Sequence, residues 1–229
     1  MNIQISCPVD RQFEWQVANS LVSTALFARS LPKEIEVDFA FISQCSIISK
    51  ARNLQISEFL KDPKNDVLFF LDSDIVYNPR DLYRVVMLAG KHPIVGCPYP
   101  MKAYPISFSI QFKEKEDGVP PKPEEFDKDG LIDVYSMGLG FTAVRRNVLE
   151  KLAETADKVN YGAPFGVVPY ICEEVRDEAR DFHGEDWTFF KKARDLGFKA
   201  KAYALPTIGH IGSHIYYKPA EEESKIALR

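Results

Sequence analysis

The stretch Val67–Pro79, VLFFLDSDIVYNP, sets five consecutive apolar residues against two aspartates, Asp72 and Asp74, and then against Asn78-Pro79. A short unbroken apolar run has the length of a strand buried on both faces, which is what the centre of a parallel sheet requires. Asn78-Pro79 reads as a helix start, with proline at an early helical position, and Leu82, Val85, Val86 and Leu88 continue at helical spacing. The order strand, acidic turn, helix is half of a βαβ unit.

The flanking sequence repeats the pattern. Ile3–Cys7 is a short apolar strand stopped at Pro8, and Phe13, Val17, Leu21, Ala25 and Ala28 follow at helical spacing. Ile35–Ile42 alternates and then turns apolar, Ile48–Leu60 suits a helix, and Pro93–Cys97 returns as a strand. Residues 1–100 therefore predict β-α-β-α-β-α-β, an α/β fold with a mostly parallel central sheet and helices on both faces. The rest is more irregular. Pro105–Phe112 alternates like a half-exposed strand, whereas Lys113–Asp129 is charged, carries Pro120, Pro121 and Pro123, and reads as a surface loop. Leu131–Tyr135 and Phe141–Val144 read as strands around a Gly138-Leu139-Gly140 turn, and Asn147–Ala156 as a helix. Asp186–Leu196 is a helix stopped by Gly197, and Phe198–Tyr203 is the last strand expected. At 229 residues, one domain is expected across 1–229: a nucleotide-binding half (1–100), an acceptor and catalytic half (101–212) and a tail (213–229).

Composition removes several classes of function. Hydrophobic residues make up 45% and charged residues 27%, a globular composition. The net charge of −4 argues against a nucleic-acid binder, which usually carries a basic face that displaces counterions from phosphates. Cys7, Cys45, Cys97 and Cys172 stand singly, with no C-x-x-C pair to suggest zinc or a disulfide framework. No basic leader and no run of ~18 apolar residues is present, so no membrane span is expected and the expected compartment is cytoplasmic.

Three clusters carry candidate chemistry. Residues i and i+2 of an extended chain share a side, so Asp72 and Asp74, with Ser73 between them, can face one ligand at the carboxyl end of a strand. Hard oxygen ligands of this kind suit Mg²⁺ or Mn²⁺. The letters alone do not decide it, since Asp127-Lys128-Asp129 matches the same pattern inside a charged loop; the competing reading, that Asp72 and Asp74 cap the turn into the next helix, is the weaker one after a buried strand. In Phe182–Phe190, FHGEDWTFF, Gly184 permits close backbone approach and Glu185 and Asp186 begin a helix. Acids at a helix N-terminus also have an ordinary explanation in the macrodipole or as a cap. In Ile208–His214, IGHIGSH, His210 lies between glycines on a loop and is free to reach a metal, and His214 is the weaker ligand candidate. Tyr99, Tyr104, Trp187, Tyr216 and Tyr217 are possible stacking faces, although aromatic residues more often serve as packing.

Taken in order, Ser49-Lys50-Ala51-Arg52-Asn53, FFLDSDIVYNP, Gly138–Arg146 (GLGFTAVRR), GEDWTFFKKARDLGFK and Gly209–Gly212 (GHIG) resemble the GT-A glycosyltransferases that use nucleotide sugars, in particular small bacterial and viral family-2-like members. The resemblance runs from Ile3 to Gly212. It implies a nucleoside-diphosphate sugar as donor, UDP- or GDP-linked, and a hydroxyl of a glycan or another acceptor. Asp74 would be the direct ligand of Mn²⁺ or Mg²⁺, with Asp72 nearer the ribose or base and His210 completing the coordination. Arg52 and Asn53 would lie near the donor diphosphate or base, and Pro8 and Val9 would form the lip for the nucleobase. Gly138, Leu139 and Gly140 would flank acceptor and donor sugar, with Glu185 and Trp187 on the acceptor side. Asp186 would be the general base of an inverting reaction. A retaining enzyme of the same fold, or a non-catalytic nucleotide- or carbohydrate-binding module, is the competing expectation. A sugar nucleotidyltransferase fits less well, because Pro8-Val9-Asp10-Arg11 lacks a glycine-rich loop.

Overall fold

A computed structural model describes residues 1–43, 45–112, 125–177 and 180–217. Most of the expected loop at Lys113–Asp129 and most of the 213–229 tail lie outside the described residues. The first half alternates as the hydrophobic periodicity requires: β1 (Asn2–Val9), α1 (Trp15–Ala28), β2 (Glu36–Ser43), α2 (Ile48–Lys61), β3 (Val67–Leu71), the short β4 (Ile75–Val76), α3 (Pro79–Ala89) and β5 (Ile94–Gly96). All five residues of β3 are buried. At the start of α3, the Asn78 side chain accepts from the Arg80 amide at 3.0 Å and proline occupies the first turn, where its missing N–H costs nothing.

The second half adds β6 (Ile110–Gln111), β7 (Leu131–Val134), β8 (Ser136–Met137), β9 (Phe141–Arg145), α4 (Arg146–Thr155), β10 (Lys158–Asn160), β11 (Val167–Pro169), β12 (Val175–Arg176) and β13 (Phe182–His183). It closes with α5 (Glu185–Asp195), β14 (Ala200–Tyr203), β15 (Gly209–Ile211) and β16 (Ile215–Tyr217). Gly197 follows α5 at φ +85°, the left-handed conformation that glycine adopts without a Cβ clash.

The central sheet has seven strands in the order β2-β1-β3-β9-β5-β14-β7. Five of them run in one direction, and β9 and β7 are antiparallel to their neighbours. Alternate residues of β3 feed two cores. Leu68 and Phe70 face Ile56 and Phe59 of α2, Leu149 of α4 and Phe189 of α5. Val67, Phe69 and Leu71 join Leu82, Val85 and Val86 of α3 on the opposite face.

Three expectations change. Phe198–Tyr203 is not the last strand, since β15 and β16 follow it and His210 lies in β15 rather than on a loop. Of the strands expected around the Gly138–Gly140 turn, β9 inserts between β3 and β5 and β7 goes to the far edge. An antiparallel strand buried on both faces has the same apolar text as a parallel one, so its position was not readable. Pro105–Phe112 is also no continuous strand. Met101 N–H donates to Ser107 O at 2.7 Å and Pro100 bridges to Phe108, so the chain folds back on itself, and only Ile110–Gln111 pairs onward with β8.

Candidate active site

Strand register assembles the site. Leu71 lies opposite Phe141, so the next residue of β3 and the preceding residue of β9 are neighbours, and Asp72 N–H donates to Gly140 O at 2.9 Å. His210 lies opposite Ile75, which brings it beside Asp74, and Ile211 N–H donates to Asp74 O at 2.8 Å. The carboxyl end of β1, with Pro8 and Val9, borders the same region, since Cys7 is close enough to feel Asp72, Arg52 and Asp74. Burial, and then those acids, push the Cys7 thiol up, so it is inert as a nucleophile.

Arg52 on α2 is 1% exposed and sits beneath Asp72, with Nη2 2.7 Å from Asp72 Oδ1 and Nε 3.9 Å from Glu185 Oε1. Burial works against its charge, but Asp72, Asp186 and Glu185 outweigh it and the guanidinium holds its proton more firmly than usual. The Nη2–Oδ1 pair is close without the alignment of a hydrogen bond. Asp72 Oδ1 and Arg52 Nε therefore remain buried polar atoms with unused bonding capacity.

Asp186, in the first turn of α5, accepts from Leu139 N–H at 3.1 Å. Burial first, then the charge of Glu185 and Asp72, raise its carboxyl well above the ordinary range, and Arg52 and the Leu139 amide only partly offset this. Three carboxylates share one guanidinium here. The glycines of the turn are required by contact rather than by torsion: a Cβ on Gly138 would come within 2.3 Å of the Tyr99 hydroxyl, and one on Gly140 within 2.2 Å of Asp72 Oδ2. Tyr99 braces the turn, accepting from Gly140 N–H at 3.2 Å.

Asp74 is in different surroundings. Its Oδ2 lies 2.5 Å from Lys102 Nζ and 3.4 Å from His210 Nε2. Burial would raise this carboxyl, but hydrogen bonds from His210 and Lys102 hold it below the usual range. His210 Nδ1 lies 2.8 Å from Pro100 O. A carbonyl only accepts, so Nδ1–H donates to Pro100 O, which orients Nε2 toward Asp74, as second-shell carbonyls orient metal-binding histidines. Two donors each ~2.1 Å from one ion are about 3.0 Å apart at a right angle and about 3.4 Å apart at a tetrahedral angle. The Asp74–His210 spacing fits a divalent cation. Asp72 is turned to Arg52, and among the described residues no group of three His, Cys, Asp or Glu side chains is arranged to hold a metal ion.

A cavity of about 350 Å³ opens beside Asp186, lined by Trp187, His183, Phe108, Ser109, Gln111 and Ser136 among others. Trp187 stacks on His183 with centroids 4.0 Å apart. Glu185 faces Arg52 rather than this cavity. Asn53 is turned away from the site: its Oδ1 accepts from Ile171 and Cys172 N–H at 2.9 Å each, and its Nδ2 donates to Cys172 O at 2.8 Å. Those bonds occupy the amide and give it the work of pinning that segment. Ser73 is half-buried between the two aspartates. His214 joins Tyr104 and Tyr216 in an aromatic cluster instead of Asp74. The second D-x-D is a turn, Asp127 Oδ1 accepting from Asp129 and Leu131 N–H. Sequence reasoning missed Lys102 and Pro100, since a lysine in PYPMKAYP carries no motif, and of the two roles it left open for Tyr99, stacking face or packing, the brace is the second.

No protein-family model and no curated protein sequence matches the chain, so comparison rests on structure. It superimposes on A197 from STIV with a TM-score of 0.60 and 19% identity, over 93% of this chain and 86% of that one. It also superimposes on GalNAc-T7, crystallised with UDP, GalNAc and Mn²⁺, with a TM-score of 0.55 and 13% identity, over 91% of this chain. The match covers 44% of the GalNAc-T7 chain. These similarities establish the fold, which is the GT-A layout that the motif order implies. Among the described residues no helix is long and apolar enough to cross a membrane.

Proposed function

We propose that this protein moves a sugar from a nucleoside-diphosphate sugar, UDP- or GDP-linked, to an acceptor hydroxyl, with inversion at the anomeric carbon. The observation that carries the reading is the position of Asp186, a carboxyl of raised basicity that belongs to the buried acidic cluster and also lines the 350 Å³ cavity. The cavity takes the acceptor. Its mixed aromatic and polar lining suits a sugar, with an apolar face for Trp187 and hydroxyls for Ser109, Gln111 and Ser136.

Asp72, anchored through Oδ1 by Arg52, accepts through its other oxygen from a donor hydroxyl such as that of the ribose, and Pro8 and Val9 border the base. Arg52 lies behind Asp72 and acts by fixing it and Glu185 rather than by touching the donor. Asp74 and His210 would hold Mn²⁺ or Mg²⁺, and such an ion neutralises charge on the departing diphosphate as a Lewis acid. Leu139 N–H fixes the Asp186 carboxyl, which takes the acceptor proton as the acceptor oxygen bonds to the anomeric carbon. A carboxylate held above its ordinary pKa is the stronger base, provided it is deprotonated before the step. GalNAc-T7, which shares the fold, was crystallised with UDP and Mn²⁺, and this supports the choice of donor class and ion.

The test is donor turnover. Incubated with a panel of UDP-, GDP-, CDP- and dTDP-sugars and Mn²⁺, the protein is expected to release free nucleoside diphosphate slowly from at least one, and EDTA to stop it. Silence with every donor would point to a binding module. A product with the donor's anomeric configuration would remove the base role from Asp186.

A further inference from the structure

One short segment serves both Asp74 and His210. Pro100 O accepts from His210 Nδ1 at 2.8 Å, and two residues on, Lys102 Nζ lies 2.5 Å from Asp74 Oδ2. The segment is held at both ends. At its base Met101 N–H donates to Ser107 O and Pro100 bridges to Phe108, and beyond Lys102 the Tyr104 hydroxyl bonds His214 Nε2 at 3.0 Å. The lysine stem runs over Gly212, where a Cβ would come within 3.2 Å of Lys102 Cδ. The ammonium is thus aimed at Asp74 by the loop's geometry.

The same carboxylate oxygen is the one nearest His210 Nε2, at 3.4 Å. A divalent ion bound there at ~2.1 Å would be within about 4.6 Å of an ammonium still 2.5 Å from that oxygen, and two like charges so close repel strongly. The oxygen therefore holds one or the other. Lys102 is 37% exposed on a flexible four-carbon stem, so it is free to leave.

We propose that Lys102 is a displaceable counter-cation of the metal site: its ammonium neutralises Asp74 in the free protein, a divalent ion bound at Asp74 and His210 displaces it, and the freed ammonium pairs with the phosphates of the nucleotide donor. The inference rests on the donor reading above. It gives the site an internal charge balance in the absence of ligand and moves that charge to the diphosphate when ligand arrives.

Acylation of lysines followed by mass spectrometry reads the displacement directly. Mn²⁺ is expected to speed labelling of Lys102 about threefold or more in the natural protein. In Asp74→Asn, labelling should be fast from the start and insensitive to Mn²⁺. By calorimetry, Lys102→Met should bind Mn²⁺ about two- to fivefold more tightly, the range for a half-exposed ion pair, and should bind UDP in saturating Mg²⁺ more weakly. Unchanged or slower Lys102 labelling with Mn²⁺, the two affinities moving in the same direction, or no Mn²⁺ binding by either protein would overturn the proposal. Mn²⁺-dependent donor hydrolysis with unchanged Lys102 labelling overturns only the displacement. Absence of hydrolysis with every donor overturns the transferase reading, whatever Lys102 does.

Discussion

Asp72 and Asp74 are two residues apart and live in opposite surroundings. Asp72 is fixed from three sides, by the Gly140 carbonyl on its amide, by Arg52 beneath it and by the space that only a glycine at 140 leaves open. Asp74 is one-third exposed and is met by a lysine stem and a histidine from loops and a small hairpin. The first environment is built into the central sheet and does not adapt; the second is assembled from pieces that can exchange one cation for another. A site that must recognise one invariant part of a ligand and also exchange ions uses both kinds of support.

The sharpest break in that comparison is Asp186→Asn. Losing the base is expected to lower turnover by about 10² to 10⁴ while donor binding is retained, since an amide oxygen at that place still accepts from Leu139 N–H. Stability should move the other way. A carboxyl whose folded pKa is raised contributes stability that is fully present below its unfolded pKa and lost as pH rises through the folded value. At neutral pH the asparagine variant should melt at or above the temperature of the natural protein. A variant that is both inactive and less stable would make Asp186 a structural residue. Arg52→Ala tests the rigid side from beneath: removing the guanidinium leaves Asp72, Glu185 and Asp186 without their shared countercharge, and a loss of about 3–5 kcal/mol in denaturant unfolding is expected. Unchanged stability would mean that the acids are better solvated than their burial implies.

Gly140→Ala should cost about 1–3 kcal/mol, because the new methyl must displace Asp72 Oδ2 or the Tyr99 hydroxyl, both held inside the packed turn. Donor affinity should fall with it; an unaltered melting temperature would show that the turn yields. Glu185→Gln has a smaller effect with a definite direction. It removes a negative charge that raises Asp186, so the acidic limb of the pH–rate profile should move to lower pH. A limb that stays in place would assign it to another group.

Legibility followed the same division. The rigid side rests on β3, whose five apolar letters announce a buried strand, and on Arg52, the glycines and Asp186, each in a stretch with its own pattern. Which acid of the Glu185-Asp186 pair faces the cavity was not readable, because it depends on how α5 is rotated against β8. The register that sets Gly140 beside Asp72 was also hidden, since a strand's apolar run does not say which neighbours it takes. On the adaptable side only Asp74 and His210 could be named. Lys102 and Pro100 reach them through a loop whose closure depends on backbone bonds between Met101 and Ser107, and no side-chain pattern encodes those. Asn53 shows the converse error: an amide beside an important arginine looked like a ligand contact, yet three backbone groups of the 171–172 segment claim it.

Asp74→Asn should be the mildest change to the fold and the most selective change to ligand binding. Its partners are solvent-screened, so unfolding stability at neutral pH should fall by less than about 1 kcal/mol. The carboxyl is held below its ordinary range, so its contribution to stability is present above the unfolded pKa and lost as pH falls through the folded value. The variant should therefore lose a small part of the natural protein's decline in stability on acidification, the opposite slope to that contributed by Asp186. Mn²⁺ affinity should drop about tenfold or more, because an amide oxygen replaces a charged ligand at a site where the described residues offer two. A large loss of stability with Mn²⁺ binding unchanged would reverse the comparison, making Asp74 part of the rigid framework and leaving the cation to be held elsewhere.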